Sequence, residues 1–450
     1  MNAVSKPLWQ RFLTFLVPLM AANILQSLSG TINNIYVGQM LGVEALAAVS
    51  VFFPIMIFLI SFIIGLSSGA TVLIGQAYGA RNIDKVKEVA GTTLTTTFLM
   101  GLLVSVIGVF FTTPIMQLLG APPNILAEAT TYSRILLIGM PALFLFIIAT
   151  SILRGVGDTV TPLISLVMSI LVGLVVTPAL IQGWLGLPRI GINAAAVATM
   201  AGFAAVLAFL FLYMRARKLP LAPDRVLLGY LRINPQILGL ILKLGVPAGV
   251  QMVVSSIAAI VIVGIVNRFG SDATAAYGAL NQVMTYVQFP AMSIAIATSI
   301  FGAQAIGAGQ INQLGAITRT GLIMNLLVTG TLIIIAYVFS EHLVALFITE
   351  PKVIAITQGL LHIVLWSIVL FGAQAILAGI MRASGTVLVP MLISLGTILL
   401  VETPLAIWLS TLYGLNGIWM GYATSFTTML VLQALYYWFF WRKKTIKALI

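Results

Sequence analysis

The sequence predicts an all-α polytopic membrane protein: twelve transmembrane helices forming two pseudo-symmetric six-helix lobes. Three observations carry the prediction, namely composition, the sidedness of the basic residues and an internal repeat. Of the 450 residues, 60% are hydrophobic and 7% are charged, and the mean hydropathy is +1.13. A soluble domain of this length cannot bury so much apolar surface. Apolar runs recur along the whole chain, each long enough to cross a hydrocarbon core of ~30 Å.

Turn-forming and charged clusters divide these runs into spans. Span 1 (12–40) follows the basic "WQR" and ends near Gly42, and span 2 (46–75) runs into "GQAYGARNIDKV" (75–86). Span 3 (91–117) lies between Glu88 and "GAPPN" (120–124), and span 4 (131–153) stops at Arg154. Span 5 (162–185) opens at Pro162 and closes in "GWLGLPRIG" (183–191), and span 6 (192–214) reaches the basic "RARK". The longest polar connector follows, "RARKLPLAPDRVLLGYLRINPQ" (215–236). Span 7 (240–266) ends before "RFGSDA" (268–273), and span 8 (275–305) ends before "GAGQINQ" (307–313). Span 9 (318–340) stops at Glu341, span 10 (354–380) follows "TEPK" (349–352), and span 11 (388–412) begins after "RASGT". Span 12 (418–441) lies between "YGLNG" (413–417) and "RKKTIK" (442–447). The connector therefore separates an N-terminal six-helix lobe (1–214) from a C-terminal one (237–450).

With the N-terminus in the cytoplasm and the spans alternating, only Arg134, Arg189, Arg268 and Lys352 fall outside. The other 18 of the 22 basic residues fall inside. That asymmetry is a positive-inside signal, with both termini cytoplasmic. The net charge of +12 is thereby a topology signal and no nucleic-acid patch is implied. The short basic N-terminus leads into an apolar stretch longer than a signal peptide's core, so span 1 reads as retained. The chain contains no cysteine, which excludes disulfides, thiolate metal sites and cysteine nucleophiles.

Shifted by about 228 positions, the sequence matches itself. "GQAYGARNIDKV" (75–86) lies over "AQAIGAGQINQL" (303–314), pairing Gln76 with Gln304 and Gly79 with Gly307. "RGVGDTVTP" (154–162) lies over "RASGTVLVP" (382–390), pairing Arg154 with Arg382 and Pro162 with Pro390. Pro18 falls over Pro247, Pro122 over Pro351, and Thr177-Pro178 over Thr403-Pro404. Six spans is an even number, so both halves enter from the same side and the repeat is parallel, its axis along the membrane normal. Repeated bundles of this kind suit alternating access around a central site. The paired prolines are candidate kinks or helix starts.

These paired motifs resemble those of the multidrug and toxic compound extrusion (MATE) family. The resemblance rests on "YVGQMLGVEALAAVS" (36–50), "GQAYGA" (75–80), "LRGVGDTVTP" (153–162) and their second-half counterparts. It implies a V-shaped pair of six-helix lobes in the plasma (inner) membrane that export small organic, often cationic, compounds in exchange for H+ or Na+. No cofactor or metal is implied beyond that coupling ion, and a monomer is expected. The residues agree that ATP is not the energy source, because no G-x-x-x-x-G-K-S/T phosphate loop occurs.

The resemblance also exposes departures. Many family members carry an aspartate in helix 1 and another before the helix 5 proline; those positions match Asn33 and Thr177. Sodium-coupled members place acids where Ser255 and Phe371 stand here. An asparagine can hydrogen-bond or coordinate an ion but does not titrate. Of ten acids, nine fall in loops or at helix ends, and only Glu402, in "LLVETPLAIW" (399–408), lies well inside a span. An intramembrane carboxylate is costly and its default reading is functional, so Glu402 is the leading coupling-ion candidate. His362, in "GLLHIVLWS" (359–367), is the second titratable candidate, beside Asn33 and Thr177. Its bland alternative is a hydrogen-bonded packing histidine.

Span 1 also carries a polar stripe. At 100° per residue, Asn23, Ser27, Gly30 and Asn34 cluster on one face, with Gln26 and Asn33 on its flank. Such a stripe lines a cavity or ties helices together; four amides favour the cavity. The same spacing argument adds Gln251 and Ser255 on span 7, and Asn281, Thr285 and Gln288 on span 8, as substrate-cavity candidates. Two rivals remain. A flippase for lipid-linked or amphiphilic metabolites would want intramembrane Lys or Arg, and this chain has almost none. An intramembrane serine hydrolase could use Ser67, in "GLSSG" (65–69), with His362, but would leave the duplication unexplained.

Overall fold

In the computed structural model, which describes residues 6–450 apart from the side chain of Asn34, no strand occurs and twelve helical spans follow one another. Span 1 is Leu8–Leu41 and span 2 is Phe53–Gly79, preceded by the short helix Val43–Val51. Spans 3, 5 and 6 are Ile83–Leu118, Val160–Gln182 and Asn193–Ala216. Spans 7, 8 and 9 are Pro235–Asn267, Ser271–Gly307 and Leu314–Val338. Ten helices are each long and apolar enough to cross a bilayer, and the bent pair forming span 4 makes an eleventh. Span 12, Leu415–Phe439, has 25 residues and none of them charged, but it is rich in hydroxyl and aromatic side chains.

Four spans expected to be single regular helices are not: the stretch expected as span 2 is interrupted at Phe52, span 4 is bent, and spans 10 and 11 change helical geometry part-way. Span 4 divides into Leu126–Ile138 and Met140–Gly155, bent by 48°. Gly139 lies at the break with the Met200 thioether where a Cβ would stand, and Pro141 cannot donate to the preceding turn. Span 10 passes from Pro351–Val364 through the 3-10 turn Leu365–Ser367 into Ile368–Ala383. Span 11 runs Leu388–Thr397, then a π-helical stretch Ile398–Glu402, then Thr403–Tyr413. Pro404 lacks an N–H and its ring crowds the Leu400 carbonyl one turn back, which widens the helix at Glu402. By contrast, the helices run on through Pro18, Pro178 and Pro247.

Span 3 starts at Ile83, two turns before the apolar run expected at 91. Asn82 explains the extension: its side chain accepts from the Lys85 N–H at 3.0 Å, and Asp84 adds an acid to the first turn. Asp158 does the same for span 5, accepting from the Val160 and Thr161 N–H groups at 3.1 and 2.9 Å.

The chain forms two compact units. One comprises Ala21–Ile74 and Asn82–Val246; the other comprises Pro247–Ile450, residues up to Met20, and Gly75–Arg81. Within the first, backbones approach at small residues, as membrane helices require. Gly69 faces the Ile241 carbonyl, Gly101 faces Pro141 and Gly155 faces Ile74, with a run of buried alanines at 194–196. The connector is fastened to the start of span 3. Lys87 pairs with Asp224, Asn234 Nδ2 donates to Glu88 at 2.7 Å, and Thr92 donates to the Arg232 carbonyl at 3.1 Å. Asp224 also caps the connector helix Arg225–Gly229, accepting from the Leu227 N–H at 2.8 Å. Hydrogen bonding from Lys87, then from the Leu227 backbone, holds the Asp224 carboxyl below the usual carboxylate range. That stabilisation is present above the unfolded-state value of about 3.9 and is lost as pH falls through the lower folded value. Asp224→Asn should therefore lower the stability read by thermal unfolding modestly at pH 7, by about 1 kcal/mol or less because the Asp224 carboxylate is partly exposed. The deficit should shrink at a pH below that lowered folded value, where the carboxyl is protonated in both states. An equal deficit at both pH values would contradict this.

The second unit contains the repeat's own contact. The end of span 2 crosses span 8 so closely that a Cβ on Gly79 would overlap the Gln304 carbonyl, and one on Gly307 would overlap the Gln76 carbonyl. Thus the two copies of the paired motif meet each other reciprocally. Gln76, fully buried, donates to the Ala383 carbonyl at 2.8 Å and accepts from the Leu449 N–H at 2.7 Å. Arg154 and Arg382 each occupy the last turn of their helix, where a cation complements the exposed carbonyls.

Candidate functional site

Two polar sites emerge, one in each unit. In the first unit a cavity of about 250 Å³ opens between spans 1, 5 and 6. Span 1 contributes Gln26, Ser29, Asn33 and Tyr36, span 5 contributes Ser169 and Thr177, and span 6 contributes Thr199 and Phe203. The structure thus brings Asn33 and Thr177, far apart in sequence, to one wall-to-wall site with Gln26. None of the lining residues is charged. Amides, hydroxyls and rings can hold a guest by hydrogen bonds and apolar contact, and amide carbonyls can also face a cation. Asn23 is partly buried on the same helix but is not part of the lining, and the side chain of Asn34 lies outside the described residues.

In the second unit Glu402 is buried, 6% exposed, and accepts from Ser425 Oγ at 2.9 Å. It is the one buried carboxylate among the described residues, and no Lys, Arg or His forms an ion pair with it there. The π-helical turn determines where it points, since the extra residue rotates Glu402 relative to a regular helix. Aromatic residues of spans 8 and 12 stand beside it: Trp419 stacks on Tyr422 with centroids 5.2 Å apart, and Tyr277 is tilted against Trp419 at 5.6 Å. Both phenols lie within electrostatic reach of Glu402, and Tyr277 is hydrogen-bonded with Asn281 and Tyr422. Glu402 can hold a proton here or accept hydrogen bonds when ionised. A carboxylate left charged in such a place costs several kcal/mol, so gain and loss of the proton have structural consequences.

The remaining candidates fall elsewhere. Ser255 Oγ donates to the Gln251 carbonyl at 2.9 Å, and Thr285 Oγ1 to the Asn281 carbonyl at 2.7 Å, so both hydroxyls are used within their own helices. Gln251 lines a small crevice with Arg382 and Pro390, and Gln288 is partly buried on span 8. His362 is exposed; its Nε2 lies 3.4 Å from Ser340 Oγ and its ring against Tyr337. These contacts place it at a corner between the end of span 9 and span 10. Ser67 is buried, and its hydroxyl donates to the Ile64 carbonyl at 2.7 Å within its own helix.

The sequence profile of the MatE family matches residues 18–179 and 247–408, one copy in each half. The chain belongs to the MatE family. It is 46% identical over 99% of its length to the probable multidrug resistance protein YoeA of Bacillus subtilis, covering 97% of that protein. It is 28% identical to an FAD transporter of Shewanella oneidensis, covering 88% of this chain and 87% of that one. A crystal structure of the Vibrio cholerae MATE transporter VcmN, in an aspartate-to-asparagine mutant form, superposes with a TM-score of 0.89. That match has 21% identity and covers 97% of this chain and 98% of the other. The likeness establishes a MATE fold and a multi-pass membrane protein. Ser425, Tyr422 and Tyr277 around Glu402, and Tyr36, Ser169 and Thr199 in the cavity, were not singled out from sequence. Hydroxyls and rings are common in membrane helices, and only their meeting makes them a site.

Proposed function

We propose that this MatE-family protein is a secondary active antiporter of the plasma membrane that exports small organic compounds by alternating access, driven by protons through Glu402. The observation that supports this most is a buried, unpaired carboxylate held by Ser425 at 2.9 Å. In the proposed cycle Glu402 takes a proton from outside and the neutral site favours opening inward. The proton is then released as substrate binds, and the substrate-loaded protein returns outward. The uncharged cavity around Asn33, Gln26 and Thr177 supplies the substrate contacts. A phosphorylated cargo such as the FAD named for the Shewanella relative would find no Lys or Arg in that lining. Proteoliposomes under separately imposed proton and sodium gradients test the reading, and efflux that follows only sodium would overturn it.

Asn33→Asp is expected to place a titratable carboxylate in the cavity. Substrate range should shift toward cations, and efflux should acquire a second pH-dependent step in a pH-rate profile. An unaltered profile and range would mean that Asn33 only ties helices together. The positive-inside count supports a cytoplasmic location for both termini. Because the chain has no cysteine, single Lys443→Cys and Asp272→Cys variants can be labelled cleanly with an impermeant maleimide. Only Asp272→Cys should react in intact cells, and the reverse pattern would invert the topology.

A further inference from the structure

Two cavities of the first unit lie side by side where the connector meets spans 3, 4 and 6. One, of about 510 Å³, is an apolar groove whose floor includes the buried Ile152, Leu153 and Leu210 and whose rim includes the exposed Phe98 and Phe211. Leu221, Leu227 and Leu231 of the connector close one end. The other, of about 590 Å³, is lined by Lys87, Arg215, Lys218 and Arg225, with Asp224 as its acid. Pro223 belongs to both linings, and Met214 of the groove is followed by Arg215 of the basic cavity. Lys87 already answers Asp224, whereas Arg215, Lys218 and Arg225 are exposed with no carboxylate partner among the described residues.

We propose that this face binds an anionic phospholipid from the leaflet on the connector's side. One acyl chain lies in the groove and the phosphate sits among Arg215, Lys218 and Arg225. Charge complementarity selects the occupant: three unanswered cations at the membrane surface attract an anionic headgroup. They repel a cationic amphiphile, and a zwitterionic lipid offers them no net charge. A free anion would use the basic cavity alone and leave the apolar groove unexplained. The connector helix is the joint between the two halves of the site, since Leu227 faces the groove while Arg225 faces the headgroup.

Native mass spectrometry of the full-length protein in detergent tests this, titrating with phosphatidylglycerol, with phosphatidylcholine of the same chains, and with inorganic phosphate. Wild type should prefer phosphatidylglycerol by about tenfold or more. Arg215→Gln, Lys218→Gln and Arg225→Gln together should abolish the preference while leaving the melting temperature unchanged. Ala149→Trp, which fills the groove, should lower occupancy by both lipids; if it destabilises the fold, Thr95→Trp fills the same groove from span 3. A preference that survives the triple substitution overturns the proposal. So does displacement of phosphatidylglycerol by inorganic phosphate with groove variants binding as wild type, which would mean an anion site only.

Discussion

Gly79→Ala, and equally its repeat mate Gly307→Ala, is expected to abolish accumulation of folded protein. The added methyl meets a backbone carbonyl in each case, Gln304 for Gly79 and Gln76 for Gly307. A side chain could rotate away, but a helix backbone cannot, so the two helices would have to separate along the crossing. That movement also pulls Gln76 from the Ala383 carbonyl and the Leu449 N–H, leaving a buried amide without partners. Overpacking plus an unsatisfied buried group amounts to several kcal/mol, a large part of a typical stability of roughly 5–15 kcal/mol. Gly330→Ala is the matched control, since a Cβ there meets nothing within 4 Å and alanine is the better helix former. Fluorescence-detected gel filtration with a thermal ramp reads the outcome. Wild-type peaks and melting temperatures for both Gly79→Ala and Gly307→Ala would show that the crossing can relax.

Glu402→Gln is expected to uncouple the transporter without unfolding it. Glutamine keeps the shape and can still accept from Ser425, so melting should stay within a few degrees of wild type. Without a titratable group, efflux driven by an imposed pH gradient should fall by about two orders of magnitude or more, as expected for a step that loses its driving proton. Substrate counterflow, which needs no proton, should persist. Ser425→Ala removes the hydrogen-bond partner alone and should move the pH at which gradient-driven efflux is half-maximal while retaining coupling. Gradient-driven efflux at the wild-type rate in Glu402→Gln would end the coupling assignment.

How much of this was legible beforehand differs residue by residue. Glu402 stood out because a single acid inside an apolar span has no inexpensive explanation. Asn33 and Thr177 stood out by position within the repeat and the family motifs, and the cavity joins them with Gln26. His362 stood out for the same reason as Glu402 but is exposed and hydrogen-bonded with Ser340. Depth along a helix can be counted from sequence; the direction a side chain faces depends on helix rotation, which neighbours set.

The sequence by itself determined the membrane class, the twelve spans and the duplication, because hydropathy, length and self-similarity are properties of the chain alone. It also marked Gln76, Gly79, Gln304 and Gly307 as a pair of related motifs. Only the tertiary structure decided that the pair meets itself at a backbone crossing, that span 4 bends at Gly139 while span 11 widens into a π-helical turn before Pro404, and that Ser425 holds Glu402. It alone set a basic cavity beside an apolar groove. Those outcomes depend on how helices rotate and cross. In a chain whose spans are apolar nearly all round, no periodic stripe records the rotation, so packing between helices has to supply it.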